Sequence, residues 1–412
     1  MSPEPDGVAG VDAGDGGPIW RLPGVLPLVV LSILGFGGFA ALMSVVPLWV
    51  VRGGADRTGS GLVTTVLLLS TVITQTIVPR LLAGLGHAAV LSFGLAALGL
   101  PSLLFGLSDD LAPVLALSAV RGIGFGILTV TGSAVIAELA PAGRRGAAIG
   151  AYGLGVALPN LIFLPFSVVL AERVGFVPVF VAGAMPLVGV PAAVALGRVL
   201  RRHRPRSSTD HRSTPATATH RRRVVLRLVS PAVVLLAVTL AGGALMTFLP
   251  QMTTQLPAGA ADVVASAGLL VLSVTGALSR WLVGGFADRR GAGRLMIPFL
   301  LVGAWGTALI AVALTVAGPV ASIASMIIGL AFTGAAYGAI QNLTLVSAFQ
   351  QVDRPQYGTA SAVWNIGFDG GTALGAMLLG VIATHADFTS GVVVLAVLIM
   401  AAVPPAWRLA RR

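Results

Sequence analysis

Two charged residues stand where charge is expensive. Arg121 falls about nine residues into one long apolar run and Asp369 about eleven into another. At about 1.5 Å of rise per residue, both lie near the middle of a helix long enough to cross a bilayer. A charge at the bilayer centre costs ~2.5 kcal/mol or more on insertion scales, so each requires a compensating role. Asp369 is the only acid so placed, and an acid held away from bulk water can carry a proton through a transport cycle. Arg121 complements it: beside Asp369 it would tune that carboxyl, and on its own it would bind an anionic group. The competing reading makes Asp369 a static polar lock that satisfies Thr or backbone groups of the second span.

Uncharged polar groups in the same apolar setting form a second set. Asn160, Gln341 and Asn342 are the substrate-binding candidates beside Arg121, with Ser44, Thr239 and Thr247 as weaker ones. Two adjacent amides in mid-span, Gln341 and Asn342, have few ways to be satisfied except by another helix or a solute. Other chemistries lack their residues. Cysteine is absent, which excludes disulfides, thiol nucleophiles and thiolate metal sites. His203, His211 and His220 are widely spaced among arginines and read as solvated linker histidines, so no metal site is expected. Asp109-Asp110 and Asp353-Arg354 are too isolated for a membrane-embedded enzyme, and no phosphate-binding loop precedes a hydrophilic domain. The reading is therefore of a non-enzyme with no cofactor.

The elements that must position these residues are helices in lipid. Hydrophobic residues make up 56% of the 412, charged residues 10%, and the mean hydropathy is +0.94. A soluble domain carries more charge than that, whereas lipid-facing helices need almost none. With about 20 apolar residues per crossing, spans fall near 25–51, 60–78, 88–107, 112–139, 146–170 and 176–198. After a polar gap they continue near 228–249, 263–286, 294–316, 319–347, 358–382 and 389–407. The expectation is an all-α polytopic membrane protein of twelve helices. The acidic, Gly- and Pro-rich start reads as a disordered cytoplasmic tail over 1–22, and no cleavable signal is expected there.

The arginines test the count. The net charge is +11, and all 26 basic residues are Arg. With the N-terminus inside, twenty-two of them fall at or within the inner boundary, Arg280 included, against three outside (Arg52, Arg57 and Arg173). That asymmetry is an orientation signal, with both termini cytoplasmic, and not a nucleic-acid signal. The run from 201 to 226 then reads as a basic cytoplasmic linker between six-helix halves at 23–200 and 227–412.

The halves repeat one design. Ser44-Val45-Val46-Pro47 recurs as Thr247-Phe248-Leu249-Pro250, and Arg121-Gly122 with Gly126 recurs as Thr333-Gly334 with Gly338. Arg145-Gly146-Ala147-Ala148 recurs as Tyr357-Gly358-Thr359-Ala360. Two pseudo-symmetric bundles of six helices imply a central site and alternating access by rocking. At Gly284-Gly285-Phe286-Ala287-Asp288-Arg289-Arg290-Gly291, introduced by Arg280, the chain resembles the major facilitator superfamily. Its earlier copy, Pro79-Arg80-Leu81-Leu82-Ala83-Gly84-Leu85-Gly86, lacks the acid. Helix 4, with Arg121-Gly122-Ile123-Gly124-Phe125-Gly126, Glu138 and Arg144-Arg145-Gly146, is similar to the family's pattern as well.

The resemblance implies that helices 1, 4, 7 and 10 line the cavity and that helices 2 and 11 pack between the halves. It implies a cytoplasmic gate of Arg280, Asp288, Arg289, Gly284, Gly291, Glu138 and Arg145. Asp288 would latch by charge-assisted hydrogen bonds, and Glu138 would pair with Arg144 or Arg145. The leading expectation is a secondary transporter of the bacterial inner membrane that exports a small organic molecule in exchange for protons. The alternative is proton-linked uptake of a small metabolite. The partners are the solute, protons and the lipid bilayer, with no nucleic acid, and the chain is expected to act as a monomer.

Overall fold

In a computed structural model, residues 19–202, 218–254 and 261–411 are described, and every regular element among them is helical. The expectations for the acidic tail up to residue 18, and for His203 and His211, lie outside the described residues. The helices in chain order are α1 (Val25–Met43), α2 (Val45–Arg52), α3 (Arg57–Leu104), α4 (Leu111–Leu139) and α5 (Arg145–Arg173). Next come α6 (Phe176–Gly183), α7 (Met185–Val188) and α8 (Val190–Arg202), then α9 (Ala218–Thr253) and α10 (Ala261–Arg290). The last are α11 (Ala292–Thr315), α12 (Pro319–Gln350), α13 (Tyr357–His385), α14 (Phe388–Ala401) and α15 (Val403–Ala410). The expected linker is helical where it is described, since α8 runs to Arg202 and α9 begins at Ala218.

Most of these helices are apolar on all sides because lipid replaces water outside and side chains replace it inside. Eleven helical segments among the described residues are long and apolar enough to cross a membrane, against the twelve expected. The difference sits in α3. Its 48 residues would extend about 72 Å if straight, more than twice a bilayer core. Gly86, at φ 77°, ψ 166°, is non-helical and breaks it. Gly291, at φ 85°, makes the corresponding turn between α10 and α11. Both glycines close the two copies of the repeated eight-residue stretch, and only glycine adopts such a conformation without strain.

Packing sorts the helices into two sets. Before the undescribed segment, α1 lies along α5, α6, α7 and α8, and the two arms of α3 lie along α4 and α8. After it, α9 lies along α13, and α12 runs between α10 and α11. The sets meet where α10 crosses α5 and where α13 lies against α3 and α4. Among the described residues, the hydrogen bonds that join the sets run from the level of Asp369 toward one end of the bundle. That end carries Arg144, Arg145, Arg289 and Arg290.

Candidate functional site

The first seam is a polar ladder on one face of α13. Ser361, Asn365 and Asp369 follow one another at four-residue spacing and therefore project the same way. Ser361 meets Ser133 and donates to the Val130 carbonyl at 2.6 Å. Asn365 donates to Ser133 at 3.1 Å and also reaches the Thr129 carbonyl. At the top, Asp369 accepts 2.7 Å from the Gln75 side chain, which also reaches Thr129 at 3.3 Å. Asp369 is thus held by an amide across the seam, about 18 Å along α13 from Tyr357. Arg121 is not its partner.

The second seam carries the opposite charge. Arg280 lies ten residues before the end of α10, about 15 Å along the helix from Arg290. From there α10 continues to Arg290 before Gly291 turns the chain. Arg280 donates 2.8 Å to the Gln341 side-chain oxygen, and its guanidinium stands 5.9 Å from the Trp364 ring. Tyr152 and Tyr337 lie within its electrostatic reach. Its buried Nε has no hydrogen-bond partner. A Cβ on Gly153 of α5 would collide with that nitrogen, so the guanidinium rests where α5 lacks a side chain.

The ends of the sets are latched by backbone. Asp288 accepts from Gly146 N at 2.7 Å and from Ala147 N at 2.9 Å. These are unpaired amides of the first turn of α5, where a carboxylate is favoured by both hydrogen bonding and the helix dipole. The latch expected of Asp288 is thus made to the first turn of α5, as a helix-end cap. Arg144 and Arg145 lie within electrostatic reach of the carboxylate. Arg289 is exposed. Gly284 and Gly146 face each other so closely that a Cβ on either would strike the other's carbonyl oxygen. Asn342 closes the same crossing, donating to the Gly146 carbonyl at 3.1 Å and to the Arg280 carbonyl at 3.0 Å. Arg145 stacks 5.3 Å over the Tyr357 ring.

Other candidates lie apart. Arg121 is 1% exposed within the first set, donates to the Gly38 carbonyl at 3.2 Å and stands 5.8 Å over Phe105. Asn160 donates to Val156 of its own helix. Thr239 and Thr247 likewise bond carbonyls of α9. Glu138 lies 3.8 Å from the His87 ring, a neighbour the sequence did not suggest.

Gln75, Ser133, Ser361, Asn365, Tyr152, Tyr337 and Phe368 were not singled out as site residues by sequence. For Gln75 a signal existed: it stands four residues before Pro79, as Arg280 stands four before Gly284.

Buried polar groups thus line two seams in a bundle of helices long and apolar enough to cross a membrane. A family model described as the Major Facilitator Superfamily matches residues 28–348, and the chain belongs to that superfamily. It is a multi-pass protein of the bacterial inner membrane. An uncharacterised MFS-type transporter of Mycobacterium tuberculosis is 30% identical over 145 residues, 34% of this chain. The match spans only 24% of that relative's length.

Among solved structures, the proton:xylose symporter XylE bound to 6-bromo-6-deoxy-D-glucose superposes with a TM-score of 0.73 at 14% identity. That match covers 94% of this chain and 95% of the other. The E. coli fucose:proton symporter FucP matches with a TM-score of 0.70 at 14% identity, covering 94% of this chain and 99% of its own. FucP in the outward conformation gives 0.73 at 13% identity, with 95% and 99% covered. At these identities the likeness is one of fold. The expectation of proton-coupled efflux is corrected here: the matched carriers are proton symporters, and export by antiport is not carried further.

Proposed function

We propose that the chain takes up a small organic solute together with protons by alternating access. The observation that carries this reading is Asp369, an acid in mid-membrane held across the seam by Gln75. A proton arriving at that carboxylate removes its negative charge and weakens the bond between the two sets of helices. Proton binding is thereby coupled to their separation. The overall likeness to two proton symporters supports the direction.

In this reading α3 is two crossings joined at Gly86, giving twelve in all, six in each of two bundles over 23–200 and 227–412. The tail of 1–22, the linker of 201–226 and both termini are cytoplasmic, as the arginines ask. The latched end is then the cytoplasmic gate, and the state described is closed toward the cytoplasm. Asp369 is the proton carrier, with Gln341 and Asn342 near the solute. Asp288, Gly284, Gly291, Arg145, Glu138 and Arg289 belong to the gate region. Arg121 has a supporting part, holding α1 through Gly38.

The test uses proteoliposomes loaded with a fluorescent pH probe and exposed to solutes one at a time. The wild type acidifies the lumen when its solute is added. Asp369→Asn, which preserves shape and an acceptor for Gln75, abolishes acidification but retains solute exchange. Equal acidification by both proteins would remove Asp369 from the coupling step.

A further inference from the structure

The two seams are built from equivalent positions but carry unequal charge. Gln75 and Arg280 stand at matching places before the two copies of the repeated stretch. Gln75 reaches Thr129 of α4, while Arg280 reaches Gln341 of α12. Arg145-Gly146 recurs as Tyr357-Gly358, and at that same offset Asn365 and Asp369 of α13 correspond to Gly153 and Ala157 of α5. So one seam sets an amide against an acid, whereas the other sets an arginine against a glycine and an alanine. Among the described residues Arg280 has no acidic partner, its Nε is buried and unpaired, and its guanidinium donates to Gln341 alone. A guanidinium so placed lacks the anion it is shaped to hold.

We propose that this anion is the solute: a small monocarboxylate with an apolar body, its carboxylate taken by Arg280. The proposal rests on the uptake reading above and names the substrate class of that same site. One cation without a second beside it suits a single negative charge, and neither a phosphate nor a dicarboxylate is matched by it. Gln341 orients the guanidinium, and Tyr152 and Tyr337 bring hydroxyl groups to the same locality. Trp364 and Phe368, stacked with centroids 5.6 Å apart, offer the apolar wall. One proton on Asp369 and one carboxylate on Arg280 make a neutral load, so uptake responds to a pH gradient and not to membrane potential.

The test is calorimetric titration of purified protein in lipid nanodiscs with acetate, butyrate, lactate and benzoate, each beside its neutral amide. At least one carboxylate binds in the millimolar range or tighter, and its amide binds at least tenfold more weakly. Arg280→Gln weakens that carboxylate at least tenfold, and Arg280→Lys retains part of the affinity. Gly153→Ala keeps the charge but displaces the guanidinium, and weakens binding similarly; elution profile and thermal melt identify any variant that has not folded.

The proposal is overturned if no carboxylate binds, if amides bind as well, or if folded Arg280→Gln binds normally. Carboxylate binding without accompanying proton movement would overturn the uptake reading and leave this one standing. Proton-linked uptake of a neutral sugar by Arg280→Gln would do the reverse.

Discussion

Asp369 and Arg280 are both charges set well inside long apolar helices, yet the protein treats them differently. Asp369 has an amide partner across the seam, whereas Arg280 has an amide on its own side and an unpaired nitrogen. Gln75→Ala should therefore strand the Asp369 carboxylate. We expect a loss of ~1–3 kcal/mol, the cost of leaving a buried acceptor unmade, seen as a lowered melting temperature and as uptake no longer driven by a pH gradient. A melt unchanged from wild type would mean that Gln75 does not hold Asp369. Residue types were legible in the sequence here, and partners were not. Arg121 and Asp369 stood out because charge in an apolar run is rare, but Arg121 turns inward to Gly38 and never meets the acid. Gln75 lies 294 positions from Asp369, and only packing brings them together.

The helices themselves were legible, because each crossing is a continuous apolar run with polar ends. The one discrepancy, eleven segments against twelve, comes from Gly86, a single residue that turns the chain without a polar loop. Arg280 was counted with the inner-side arginines, and α10 continues ten residues past it. The sequence singled out Asp288 as a latch but not its partner: the carboxylate serves the first turn of α5, across 142 positions. Asp288→Ala should uncap that turn and cost ~1–2 kcal/mol, favouring the state open to the cytoplasm. Cysteine placed at Gly143 would then react faster with a membrane-impermeant maleimide applied from the cytoplasmic side; an unchanged rate would deny the cap a gating role. Gly284→Ala is more severe, since its Cβ meets the Gly146 carbonyl and keeps α10 from α5. Its expected phenotype is normal insertion with little or no uptake.

At the scale of the molecule, the two sets of helices are joined by hydrogen bonds from Asp369 to one end, which is the cytoplasmic end in the proposed orientation. Rocking must break these contacts as the cytoplasmic side opens. The repeat was visible in the sequence through its glycines, while the unequal charge of its seams emerged only when α5 was seen against Arg280. The most direct test of alternating access uses the natural absence of cysteine. Ser133 and Ser361 touch across the seam, close enough for a disulfide when both are replaced. In Ser133→Cys/Ser361→Cys, oxidation should link the halves and stop uptake in proteoliposomes, and a reductant should restore it. Uptake that continues at the wild-type rate with the disulfide fully formed would mean that transport does not proceed by separation of these halves.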